Sequence, residues 1–437
     1  MRPITARYAR FALGILFAVN LIGQLDRNIL ASLLPLIKSE YAVSDQWTGL
    51  LGASFIWVFM LTALPFGHWA DRSSRTRIIG GGLATWSAAT AASGLVPSFA
   101  ALFATRAVVG IGEASAAAAA PSMIADYFPP QWRTRALSAY FVAGPVGAGL
   151  GFILGGLLGE AFGWRHAFLF AAVPGLALTA MVLALREPAR GLHDASQETG
   201  TVPLRHALRR VLAIRTYLAV VATGTLVTFA IGGVAVWLPT YLVRAYAMSL
   251  AEAGTISGIA VMIGALSGTL AGGIFAERLS RRSDNALVHT IAFSLAVTAL
   301  LLPIFFYVEQ QAALLPIMIL INFFLFWHIG PINTLIANVS PPNVRGVAIS
   351  LQILTIHLLG DAFSPALIGA ASDTLQARGV EAGEALRSVL LFLLPVPVFL
   401  AALCSEIAGF WAPADMRRVV GDPAAHGNAE LVVAAGH

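Results

Sequence analysis

Hydrophobic residues along the chain do not alternate with polar ones and show no simple amphipathic period. They form continuous runs of about twenty residues, each long enough to cross a hydrocarbon layer roughly 30 Å thick as a helix. Runs near 11–36, 47–70, 77–95, 98–123, 134–160, 166–186, 216–243, 252–276, 286–308, 312–337, 345–370 and 386–411 predict twelve spans. Their continuity favours helices over a membrane barrel, whose strands would alternate. Most connections are short. The stretch 187–215 is longer, polar and proline-containing, and divides the spans equally. The expected architecture is an all-α integral membrane protein of two six-helix pseudo-repeated bundles around a central cavity. Its parts are a bundle over 1–186, a linker over 187–215, a second bundle over 216–411 and a tail over 412–437.

Composition agrees: of 437 residues 58% are hydrophobic and only 11% charged, which no water-soluble class matches. The net charge of +5 would suggest a nucleic-acid partner if the arginines clustered, but they are spread over short loops, so none is expected. Twenty basic residues fall on the side of the termini and five (Lys38, Arg165, Arg244, Arg378, Arg387) on the other. By the positive-inside rule both termini are cytoplasmic, with a bacterial inner membrane the expected location. A single cysteine, Cys404, leaves no disulfide and no CxxC metal pattern. The first run is followed at once by further spans and reads as a retained helix, not a cleaved signal.

Two loops repeat. "GHWADRSSRTR" supplies Gly67, Asp71, Arg72 and Arg75 after span 2, and "GIFAERLSRR" supplies Gly273, Glu277, Arg278 and Arg281 after span 8. "FPPQWRTRALS" before span 5 similarly matches "SPPNVRGVAIS" before span 11. The glycines would let helix ends approach. The acids and arginines would pair across them as a cytoplasmic gate that closes in one state and opens in the other. The doubled G-x-x-x-acid-R-x-x-R loop resembles the major facilitator superfamily. "RAVVGIGEAS", "GPVGAGLG", "REPARG" and "HLLGDAFSPALIGAASD" resemble its Spinster subfamily, as does an Asp-Arg pair in span 1. The alanine run after Ser115 departs from that subfamily's pattern. Alternating access about a site between the halves is what the resemblance implies.

Span 5 carries Gly147, Gly151, Gly155 and Gly159 at intervals of four, hence on one face. Span 8 carries Gly264, Gly268 and Gly272, preceded by Gly254 and Gly258. Such ridges let helices approach and slide. In the resembling fold these spans are neighbours across the halves, so the ridges are expected at a moving interface. Gly144-Pro145, which should bend span 5, resembles an exporter motif, although Tyr140 replaces the glycine at the motif's start.

A charge near the bilayer centre costs about 2.5–3.5 kcal/mol or more and demands a partner or a wet cavity. Asn20, Gln24 and Arg27 form one stripe of span 1, whereas Asp26 points about 100° away. Arg106 and Glu113 lie two turns apart on span 4. In the resembling fold spans 1 and 4 pack together. Asp26 is then expected to pair with Arg106 while Arg27 enters the cavity, and Glu113, without a fixed partner in one state, takes up a proton. Asp26, Arg106 and Glu113 are thus the proton-coupling candidates. The substrate candidates are Asn20, Gln24, Arg27, Phe55, Phe59, Trp237, Asn322, Phe326, Asn333, Gln352, His357 and Asp361. His357 and Asp361 either titrate together at the cavity or stabilise an extracellular gate. Asp373 and Glu406 are expected to be solvated or interfacial.

No G-x-S-x-G elbow, HExxH or GxxxxGK[ST] loop is present, which argues against a hydrolase, a zinc enzyme or an ATP-driven pump. The expected protein is no enzyme and needs no cofactor or metal. It is a monomeric proton-coupled secondary transporter, in contact with membrane lipids, that exports an amphipathic, anionic-headed substrate. The alternatives are a proton symporter importing a small organic anion and a non-transporting receptor or scaffold.

Overall fold

A computed structural model describes residues 5–70, 72–190, 192, 203–280, 283 and 285–421. Among these the chain is helical without strands, running α1 (Ala6–Tyr41), α2 (Asp45–Ala70), α3 (Arg75–Ser93), α4 (Phe99–Tyr127), α5 (Pro130–Leu183), α6 (Leu204–Leu212), α7 (Arg215–Tyr246), α8 (Leu250–Ser280), α9 (Ala286–Phe306), α10 (Gln311–Phe326), α11 (Ile329–Val339), α12 (Arg345–Ile356), a π-helical turn (His357–Asp361), α13 (Ser364–Gln376), α14 (Ala382–Leu393), α15 (Pro395–Gly409) and α16 (Ala412–Gly421). Ten helical stretches are long and apolar enough to cross a membrane; three of them join consecutive elements (α10–α11, α12–α13 and α14–α15). The 54-residue α5 breaks in two at Gly163, whose φ of 79° and ψ of 162° suit glycine.

Side-chain caps start several helices. Thr5, Ser74 and Ser98 each accept the backbone N–H three residues on, using donors that the first turn would leave unpaired. Within the hydrocarbon layer, many Ser and Thr hydroxyls donate to carbonyls three or four residues back, as Thr290 does to Ala286 O at 2.7 Å, which satisfies them without water.

The start of α1, the loop before α3, the end of α4 and the chain after α5 meet at what we call the termini end. There Tyr8 accepts from Arg186 N and Tyr127 donates to Arg186 O. At the start of α7, Thr216 donates to Asp415 of α16 at 2.7 Å. At the far end, Asp45 of α2 is met by residues of α1, α7 and α13.

The glycine ridges lie elsewhere than expected. Gly147, Gly151 and Gly155 face the backbone of α1 at Leu21, Leu25 and Ile29, and Gly159 faces Leu33. Gly264, Gly268 and Gly272 face α10 at Asn322, Phe323 and Trp327. Both ridges therefore pack helices on the same side of the linker. The contact between α5 and α8 uses another set: Gly149 against Gly258, and Gly156 against Leu250 and Gly254. The physical reason is angular. Gly149 and Gly156 are two turns apart and lie well round the helix from the 147–159 stripe, so one glycine-rich helix serves two neighbours.

A side chain at Gly147 would meet the α1 backbone, which cannot yield as a rotamer can. Gly147→Val should lower the thermal stability of the purified protein, by about 1–3 kcal/mol. Gly258→Val, facing Gly149 O across the linker, should instead leave each set of helices intact and hinder their approach. Melting curves paired with transport rates in liposomes check the contrast.

Candidate functional site

The two adjacent charges of α1 take separate partners on α4. Asp26 Oδ1 accepts from Arg106 at 3.3 Å and its backbone carbonyl accepts from the same guanidinium at 3.0 Å. Thr90 of α3 donates to Asp26 Oδ2 at 2.8 Å, and Phe168 lies under Arg106 at 5.2 Å. This cluster is almost wholly shielded, with both side chains at most 2% exposed. Arg27 turns the other way and pairs with Glu113 through its Nε. Its guanidinium rests between Phe55 and Phe59, 4.9 and 5.1 Å from the ring centroids, and remains 26% exposed. Glu113 thus has a partner in this conformation. Its second oxygen, Oε1, is buried with no hydrogen-bond partner among the described residues.

Arg27 forms one wall of a cavity of about 170 Å³. Gln24 and Asn28 of α1, Phe55 and Ile56 of α2, Ile231 and Val236 of α7, and Asp361 and Pro365 line the rest. Charge and amide groups therefore face aliphatic and aromatic surface. Asp361 belongs to the π-helical turn, where Ala362 N bonds to His357 O at 3.1 Å; His357 Nδ1 lies 3.0 Å from its carboxylate. Such turns are frequent at functional sites. Gly232 of α7 makes room for it, since a Cβ there would collide with Asp361.

Other expected substrate residues stand apart from this cavity. Trp237 is fully buried and donates to Pro365 O at 2.8 Å, so it supports the wall from behind. Asn322 is buried against Gly264 and donates to Met318 O at 2.8 Å; it borders a separate small apolar pocket. Phe326 packs near Thr269, Asn333 is exposed on α11, and Gln352 is buried on α12. The helical face shared by Asn322, Phe326 and Asn333 is interrupted between α10 and α11, and α10 is turned toward α8 by the glycine ridge. Asn20 donates to Tyr140 O at 3.0 Å and holds α1 to α5. Asn28, which donates to Gln24 O, was legible as the residue four after Gln24; Thr90, an unremarkable hydroxyl in an apolar run, carried no such signal.

At the far end, two turns along α2 from the cavity-lining Gly52, lies a knot of charged and polar groups around Asp45. The buried Asp45 carboxylate accepts from Lys38 at 2.5 Å, from both terminal nitrogens of Arg244 at 2.7 and 2.9 Å, and from Ser372 and Gln376. Asp373 accepts the backbone N–H groups of Asp45 and Gln46, each at 2.8 Å, and so caps α2 from α13; it is not merely solvated. Glu160 of α5 likewise accepts Ala251 N at the start of α8.

At the termini end Arg75 is buried and pairs with Asp126 at 2.5 Å and with Glu187 at 3.1 Å. Arg72, Glu277 and Arg278 are exposed, and Asp71 and Arg281 lie outside the described residues. A Cβ at Gly67 would meet nothing within 4 Å, so that glycine makes no close approach in the Cβ direction, whereas the Gly273 backbone lies against Gly330 of α11, whose Cβ would sit 3.7 Å from Gly273 Cα. Burial works to raise the Glu187 carboxyl, but the Arg75 N–H, the Ser74 hydroxyl and the Arg75 guanidinium outweigh it and hold it below the ordinary range.

The sequence profile of the Major Facilitator Superfamily matches residues 16–365. The chain is 33% identical over 388 residues to the sphingosine-1-phosphate transporter SPNS2 of Danio rerio, covering 84% of this chain and 76% of that one. It is 33% identical over 386 residues to protein spinster homolog 1 of Xenopus laevis, covering 83% and 72%. The chain belongs to the major facilitator superfamily, in its Spinster branch. It is a multi-pass membrane transporter and not an enzyme. Its fold resembles that of a bacterial homolog to the human lysosomal transporter Spinster, solved in an inward-facing and unoccupied conformation, with a TM-score of 0.80 over 95% of this chain and 98% of that one at 23% identity.

Two outcomes test this Spinster-branch site. Asp45→Asn weakens the attraction to two cations of a buried knot, so spin labels at Trp47 and Thr374 should show a longer, broader distance distribution. An unchanged distribution would remove Asp45 from the closure. Because the folded Glu187 carboxyl titrates below the unfolded value of about 4.3, its stabilisation is present above that pH and lost as pH falls through the folded value. The melting-temperature gap between wild type and Glu187→Gln should therefore be constant near neutrality and shrink in acid.

Proposed function

We propose that this transporter couples proton movement to the passage of an amphipathic, anionic-headed substrate by alternating access, and that it works as an exporter. The observation that carries the reading is the Arg27–Glu113 pair: a cavity-facing cation tied to a buried carboxylate with one unpaired oxygen. An anionic head drawn to Arg27 leaves Glu113 buried without compensation, and a proton on Glu113 resolves that cost. With a purely anionic head the two ligands bind together. When the head also carries an ammonium, that group takes the proton's place on Glu113, and substrate and proton move in opposite directions. Opposed movement is what export against an inward proton gradient requires. The Gly144-Pro145 resemblance to exporters supports the same direction.

The lipid-like character of the substrate is supported by the mixed lining of the cavity and by the activity named for the Danio rerio relative. Asp361 with His357 is a second ionisable pair on the opposite wall, placed to meet a cationic group of the head. Twelve spans follow if α5 counts as two and α3 as one. Two six-helix halves, 1–186 and 216–411 joined by 187–215, are supported by duplicated packing. α8 lies on α10 as α2 lies on α4, and α9 on α15 as α3 on the second arm of α5. The left-handed caps Ala42 and Ala247 end the first helix of each half. The excess of basic residues in the loops on their side supports a cytoplasmic location for both termini, and hence for the termini end. The closed Asp45 knot and the open space at Gly67 then correspond to a cytoplasm-open state.

The test is proton flux in liposomes driven by a lysophospholipid gradient. With a lysophospholipid whose head carries an ammonium, wild type should move protons opposite to substrate, whereas Glu113→Gln should bind substrate yet move it without protons. Coupling that survives in Glu113→Gln sinks the role. A thermal shift with a hexuronate but not with a lysophospholipid would favour the small-anion reading instead.

A further inference from the structure

Helix α6, in the stretch read from sequence as a polar linker, is strongly two-faced. Its sequence LRHALRRVL places Leu204, Leu208 and Leu212 at intervals of four, with Ala207 and Val211 beside them. Arg205, His206, Arg209 and Arg210 occupy the other face and are exposed. Ala207 and Val211 are buried where α6 packs on α12 and α7. The leucine stripe is not: Leu204 is 64% exposed and Leu212 50%. A nine-residue helix that rests one edge of its apolar face on the protein and leaves the other bare has found only half of its partner.

We propose that the bare half is covered by the lipid leaflet at the termini end, with α6 lying in the interface and its arginines binding anionic phospholipid head groups. Position supports this. α6 leads directly into α7, a membrane-crossing helix whose first turn carries the exposed Leu218. The leucine stripe therefore continues onto lipid-facing surface at the depth where head groups meet acyl chains. Charge supports it as well, since three arginines on one short face complement phosphate and no acidic residue lies within the helix. A soluble partner would meet the arginines but leave the leucines in lipid or water. Because α6 packs on α12, which leads into the π-helical turn bearing Asp361, lipid capture by α6 gives leaflet charge a mechanical route to the cavity.

The experiment uses the full chain with Cys404→Ser and a nitroxide at Leu212→Cys, in vesicles of phosphatidylcholine alone or with added phosphatidylglycerol. With phosphatidylglycerol the label should become accessible to oxygen and shielded from a water-soluble relaxant. Neutralising Arg205, Arg209 and Arg210 to glutamine should abolish that response, and the retention of phosphatidylglycerol by the purified protein should fall about fivefold for each arginine lost. A label equally exposed to water in both vesicles overturns the proposal, as does a triple-glutamine variant that responds like wild type. These arginines lie outside the cavity, so a normal melting temperature for the triple variant separates lost lipid binding from misfolding, and substrate coupling through Glu113 is read independently.

Discussion

Two charges side by side in a membrane helix cannot both be satisfied by one neighbour, and the helical turn of about 100° per residue decides how they are shared. Asp26 is taken inward, against Arg106, Thr90 and the Phe168 ring, and welds α1, α3 and α4 into one unit. Arg27 is taken to the cavity wall, where Glu113, on the same helix as Arg106, neutralises it. Removing one partner of such a buried pair typically costs about 3–5 kcal/mol, so both pairs hold in the resting protein. The difference between them is access. The first pair has none, and in this conformation it ties α1, α3 and α4 together. The second lies beside the cavity, with the Arg27 side chain partly exposed to it.

Helix packing in this fold is organised by which glycines face which neighbour. The longest ridges pack helices on the same side of the linker, close enough that backbone meets backbone. The sparser set, Gly149 and Gly156 against Gly254 and Gly258, joins α5 to α8 across the linker, where small residues leave little interlocking. The Asp45 knot completes the far end with charge-assisted bonds, which are strong when desolvated yet can be exchanged for water when the ends part. A packed interface closes by shape and the knot closes by charge.

By itself the sequence determined the membrane-crossing helices, the polar break between two sets of them, the family and the charged face of α1. Each of these follows from local quantities: length against bilayer thickness, the period of a helix, and spacings within short motifs. It also made the separation of Asp26 from Arg27 readable, since that is a property of one helix. Only the tertiary structure decided which partner each group meets. Glu113 looked unpartnered because Arg27 lies 86 residues away in the chain. Asp45 and Asp373, separated by 328 residues, looked like ordinary helix-end acids until α2 and α13 were brought together. Trp237 and Asn322 looked like cavity residues because polarity and size do not say which face of a buried helix points at a gap and which at another helix. α6 was hidden within a stretch whose average polarity masked a leucine stripe. In lipid both faces of a helix are apolar, so hydrophobic pattern loses the power to orient that it has in water, and packing of small residues and pairing of charges take over that task.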